Sequence, residues 1–366
     1  MPRTTSSQRL STLQLGRAFA AVSVVVGHTL HEAAKWEGLS PALRWADGFV
    51  PFGQGVDVFF VISGFIMYHV SRGHLDRPGY WREFARNRVV RIVPTYWFYT
   101  FVMVALLAIL PSAFDTASLD LGQVVRSLLF LPGLDEARGN PILQLGWTLN
   151  YEMFFYVLFA GAIAAFGRRA VPALAVLLVA LAALHPILAD APYALQVWTR
   201  PIILDFAAGL GIGALWSRGV RVGRGAGKAL VALSLATFLA IPALGLTVSM
   251  GVYADLPFLL AATLFVAGLT LVPDAPPRGA VGRAGVLVGD ASYSLYLSHP
   301  FVLTAIFLLW DRVPALRDLG GWVYLGVTTM ACVVASILAY WFIERPLTAL
   351  ARDGRLHRPS RPRPAP

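Results

Sequence analysis

Apolar runs of bilayer-spanning length recur from one end of this chain to the other, and that recurrence restricts it to a helical membrane fold. The runs are Leu13–Leu30, Val58–Val70, Ile92–Leu110, Leu143–Phe166, Val171–Ala189, Pro201–Trp216, Ala229–Met250, Leu256–Val272, Val286–Trp310 and Trp322–Ile343. The expected fold is an all-α membrane protein with about ten transmembrane helices. Both termini should then be cytoplasmic. The second run is shorter than the roughly 20 residues a spanning helix needs, so it must draw on Gly53–Asp57 or be covered by neighbouring helices. Composition agrees: 57% of the 366 residues are apolar and 14% charged, which excludes a disordered chain and an ordinary soluble domain.

Charge placement tests the span count independently. Lys and Arg gather in short cytoplasmic loops. With ten crossings, 23 of the 30 basic residues fall on the side of the N-terminus and seven on the other. This asymmetry accounts for the net charge of +10 and needs no nucleic-acid partner. Residues 1–346 read as one membrane domain and 347–366 as a Pro/Arg-rich cytoplasmic tail, expected to be disordered near anionic lipid. Cys332 is the sole cysteine, and no paired metal-ligand spacing occurs, so no metal is expected.

Ionisable groups at lipid depth are costly and therefore informative. They are His28, Glu152, Asp205 and His299, with Asp57 at the mouth of the second run. At about 1.5 Å per residue, His28 lies about 16 Å beyond Arg17, and the other groups reach similar levels in the outer half of the bilayer. Such convergence suggests a site. The plainer readings are packing for His28, helix-joining ion pairs for Glu152 and Asp205, and a kink marker for His299 before Pro300. Arg88 and Arg91, three apart on a helix entering the membrane, suit bidentate capture of phosphate, although a topology anchor explains such a run equally well.

Short motifs run in order along the chain: Leu13-Gln-Leu-Gly-Arg17 with His28 beyond it, Gly55-Val-Asp57 through Ser63-Gly64-Phe65, and Arg88-Val-Val-Arg91-Ile-Val-Pro94-Thr-Tyr96. They continue through Trp147-Thr148-Leu-Asn-Tyr151-Glu152, Asp205-Phe-Ala-Ala-Gly209, Ser292 to His299, and Glu344-Arg345-Pro346. On these residues the chain resembles the acyltransferase-3 family of integral membrane acyltransferases, especially members that O-acetylate exopolysaccharide and lipopolysaccharide sugars. It departs from the family's usual pattern at Gln14-Leu-Gly and at Asn150, while Arg17 and His28 keep to it.

The resemblance implies transfer of an acyl group, acetyl first, from acetyl-CoA or another acyl-CoA to a hydroxyl of a surface or secreted carbohydrate or glycolipid. It places the protein in the inner membrane, with polysaccharide-synthesis machinery as a candidate partner. His28 would be the general base, oriented by Glu152 or, second, Asp57. Arg88 and Arg91 would hold the CoA phosphates with Arg17 and Tyr96, and Trp147, Tyr151, Asp205 and His299 would form the substrate pocket. The competing class is a transporter or flippase of a lipid-linked or anionic substrate, in which the same buried groups form a proton relay. A non-catalytic assembly partner is the third reading.

Overall fold

The computed structural model describes residues 11–36, 40–109, 120–135, 139–273 and 279–353. Among these residues every regular element is helical. In lipid this is the arrangement that satisfies all backbone donors and acceptors within one segment. The principal helices are α1 (Ser11–Ala33), α2 (Gly55–Ser71), α3 (Tyr80–Ile109), α4 (Gly146–Phe166), α5 (Ala170–Leu184) and α6 (Leu204–Ser217). They continue with α7 (Arg224–Ala243), α8 (Leu256–Thr270), α9 (Gly279–Asp290), α10 (Ser292–Arg312), α11 (Gly321–Ala339) and α12 (Arg345–Asp353).

Seven helical stretches are long and apolar enough to cross a membrane, and two shorter apolar ones, Pro201–Ser217 and Leu256–Thr270, accompany them. One of the seven, Gly146–Leu188, holds both α4 and α5, which part at Gly167 where φ is +51°. Helix therefore lies over each apolar run read from the sequence. As expected, the second run is extended backwards, by a 3-10 turn at Phe52–Gln54 and the start of α2 at Gly55.

Two expectations are corrected. The run Val286–Trp310 is not one helix: it breaks at Ala291, between α9 and α10. Gly289, just before the break, lets α9 lie so close against α1 that a Cβ there would meet the carbonyl of Gln14. His299 is consequently about 10 Å along its own helix from Ser292, half the rise inferred from Val286. The tail expected from residue 347 begins as helix α12, which is tied to α3 by the Arg86 guanidinium donating to the carbonyl of Arg352 at 2.9 Å. Residues 354–366, the rest of that tail, lie outside the described residues.

α1 runs through the middle of the assembly and packs against α2, α9, α10 and α11. The closest crossing is that of α2 with α6, where Gly64 faces Phe206 and Gly209 faces Val61, and a Cβ at either glycine would strike the opposing backbone. Small residues at such points let helices approach within van der Waals reach, which is the main source of cohesion where lipid removes the hydrophobic drive. Around this crossing Phe206 stacks between Phe60 and Phe155, with centroids 4.7 and 4.4 Å away. The outward faces carry exposed Val157, Val176, Met330 and Phe342, as a lipid-facing surface requires.

Candidate functional site

A cavity of about 380 Å3 opens between α1, α2, α3, α4 and α10. Arg17, Arg88 and Arg91 line one end, and Phe59, Thr148 and Tyr296 line the other. Arg88 and Arg91 are one turn apart on α3, so both guanidinium groups reach the same space. Arg91 is paired: its Nη1 lies 3.1 Å from Oε1 of Glu344, a carboxylate only 1% exposed whose other oxygen accepts from Ser294 at 2.6 Å. Arg17 donates to Gln14 at 3.4 Å, and Arg88 lies 5.9 Å from the ring centres of both Phe84 and Tyr156 with its Nε buried and unpartnered. Neither Arg17 nor Arg88 forms an ion pair among the described residues. This end of the cavity thus gathers three guanidinium groups, the side chains suited to holding an anionic group, with Glu152 and Asp290 on the same lining.

Glu152 projects into the same cavity from α4. Its carboxylate accepts from Ser63 of α2 at 3.3 Å and from Tyr156, one turn further along α4. At the far end the Tyr296 hydroxyl accepts from Thr148 at 2.9 Å and donates to the Leu145 carbonyl at 3.2 Å, closing the wall between α4 and α10.

Behind Tyr296 stands a pair of imidazoles. Nε2 of His299 is 3.2 Å from Nδ1 of His28, and the ring centres are 5.1 Å apart. The Tyr296 ring is 6.2 Å from that of His299. His299 is fully buried and its Nδ1 lies 3.0 Å from the carbonyl of Leu295, one turn back on the same helix. The following residue is Pro300, which lacks the N–H that would bond to the Tyr296 carbonyl and so loosens this turn. A carbonyl only accepts, so Nδ1 of His299 carries hydrogen. A neutral His299 must then accept through Nε2, which makes Nδ1 of His28 the donor. Nε2 of a neutral His28 is left with the lone pair.

The partner of His28 is therefore an imidazole. Among the described residues, neither Glu152 nor Asp57 hydrogen-bonds to it. Asp57 and Asp205 instead neighbour each other across the α2–α6 interface, 2% and 0% exposed. Among the described residues Arg200, the cation nearest in sequence to Asp205, pairs with Asp255 at 3.2 Å and with neither Glu152 nor Asp205. Tyr96 does not reach the cavity: it is fully buried against Gly146 and the Phe130 ring, 4.7 Å away. Trp147 and Tyr151 line a second, separate cavity. The sequence reading missed the roles of Ser63, Tyr156 and Tyr296. Tyr156 at i+4 from Glu152 and Tyr296 at i−3 from His299 were readable as same-face neighbours.

A family model described as an acyltransferase domain matches residues 10–341. The chain is 37% identical over 304 residues to the exopolysaccharide production protein ExoZ of Rhizobium meliloti (strain 1021), covering 82% of this chain and 91% of that protein. No solved structure matches it.

Proposed function

The chain belongs to the acyltransferase-3 family, and from that membership we propose that it transfers an acyl group, acetyl first, from acyl-CoA to a hydroxyl of an exopolysaccharide or its glycolipid precursor. One observation carries the reading: a single cavity is lined by guanidinium groups and by Tyr296, whose ring lies 6.2 Å from that of His299, the partner of His28. Arg17, Arg88 and Arg91 take the phosphates of CoA, and the thioester arm runs past Glu152 toward Tyr296. By helical rise the distance from Arg17 to His28 is about 16 Å, a span that an extended acyl-carrying arm is suited to bridge.

Nε2 of His28 takes the proton of the acceptor hydroxyl as its oxygen bonds to the thioester carbon. The C–S bond then breaks, and the CoA thiolate leaves with the proton returned by His28. His299 keeps the ring of His28 in the productive tautomer and accepts from Nδ1 throughout. The carboxylate of Glu152, held by Ser63 and Tyr156, stands beside the route of the arm. In this reading ten segments cross the inner membrane, and the arginine-rich ends face the cytoplasm, where acyl-CoA is found.

The test is transfer by purified protein in nanodiscs, supplied with labelled acetyl-CoA and de-O-acylated exopolysaccharide. Label should enter alkali-labile ester with matching thiol release. His28→Ala should bind donor and transfer nothing. Turnover retained by that variant would remove His28 from the mechanism.

A further inference from the structure

We propose that the second cavity, at the start of α4, is a carbohydrate subsite that holds units of the acceptor chain beside the unit being acylated; this rests on the acyltransferase reading above. The cavity, about 670 Å3, is bounded by Trp147, Asn150 and Tyr151 of α4 together with Tyr193, Gln196 and Arg200. It shares no wall residue with the arginine-lined cavity. It opens at the end of α4 remote from Arg168 and Arg169, which the 21-residue helix places about 30 Å away.

The wall chemistry selects the ligand class. Trp147 and Tyr193 are partly exposed and offer aromatic faces on which the C–H face of a pyranose stacks. Asn150 is 2% exposed, lines this space, and its Oδ1 has no partner among the described residues. A buried amide oxygen left open is costly unless a ligand donor fills it, and a sugar hydroxyl is such a donor. An anionic ligand is disfavoured, because Arg200 is already bound to both oxygens of Asp255 at 3.2 and 3.3 Å. A lipid tail is disfavoured by the mixed walls; the groove around Val157, Leu158 and Leu177, almost wholly apolar, suits that ligand far better.

Position completes the argument. Trp147 is adjacent to Thr148, whose hydroxyl holds Tyr296, and His299 is three residues, about 4.5 Å, further along α10. A chain lying in the cleft is thus level with the histidine pair. Contacts to units remote from the reacting hydroxyl raise transfer efficiency by orienting it.

The experiment uses full-length protein in nanodiscs and oligosaccharides of increasing length cut from the producing cells' own de-O-acylated polysaccharide. Saturable binding by calorimetry without acyl-CoA is expected, tightening with length. Asn150→Ala and Tyr193→Ala should each weaken it tenfold or more and raise the oligosaccharide KM to match, while the acetyl-CoA KM moves less than twofold. Unchanged oligosaccharide binding in both variants overturns the subsite, as does a joint rise of both KM values, which marks a disturbed α4. Wild-type protein that binds these oligosaccharides but transfers no acyl group keeps the subsite and sinks the acyltransferase reading. Efficient transfer with no measurable length dependence does the reverse.

Discussion

His28 and His299, 271 positions apart in the chain, meet through one ring nitrogen each at 3.2 Å, and the hydrogen bond from His299 to the Leu295 carbonyl decides which nitrogen of His28 stays open. The chemistry proposed above depends on this ordering, so it is the first relationship to perturb.

His299→Phe removes the acceptor for Nδ1–H of His28 and frees its ring to turn. Turnover should fall on the order of 10²-fold with the acetyl-CoA KM nearly unchanged, as loss of orientation predicts. His299→Gln, whose amide can both accept from His28 and donate to the Leu295 carbonyl, should restore at least part of that loss. Steady-state kinetics on both variants checks it, and equal loss in the two would deny His299 an orienting role.

Arg88→Gln and Arg91→Gln should each raise the acetyl-CoA KM, but only the second should also destabilise the protein. It strands Glu344, a carboxylate 1% exposed, without its guanidinium partner at 3.1 Å. The cost is on the order of 1–3 kcal/mol, and adding Glu344→Gln should recover most of it. Thermal unfolding in detergent separates the two effects.

Glu152→Gln preserves an acceptor for Ser63 and Tyr156 while removing the charge. Folding should be unaffected and turnover lowered at least tenfold, in keeping with the smaller contributions of charged groups to proton transfer. A matched loss of stability and rate would make Glu152 a helix-joining group instead.

The α2–α6 crossing predicts a sharp contrast on one helix. Gly209→Ala places a methyl against the Val61 carbonyl and should cost about 1–3 kcal/mol or more, whereas Gly211→Ala, with open space around it, should be neutral or better. Unfolding midpoints of the two variants in the same detergent decide the matter.

Topology is checked by labelling. In a Cys332→Ser background, single cysteines at Arg168 and Arg221 should resist an impermeant maleimide added to intact spheroplasts, while those at Lys35 and Arg312 should react. Reaction at Arg168 would overturn ten crossings.

Much of this was legible in the sequence, because lipid makes polarity expensive. Helix covers every apolar run, and His28 and His299 stood out as ionisable groups within such runs. Their contact was not legible. Which helices touch is set by crossings such as Gly64 on Phe206 and Gly209 on Val61, and nothing in a hydropathy pattern states which glycine meets which backbone. For the same reason Glu152 looked free to pair with His28, although Ser63 and Tyr156 hold it. The break at Ala291 was hidden because the residues around Asp290 are apolar enough to read as one continuous run.

The histidine pair has one further consequence. Each ring is carried by a different helix, so the contact depends on how α1 and α10 are packed against each other and against α11. A slip of one residue is about 1.5 Å along the axis, enough to stretch a 3.2 Å contact past hydrogen-bonding range. Thickness and lateral pressure of the surrounding lipid act directly on that register, so membrane composition becomes a variable of the reaction rate.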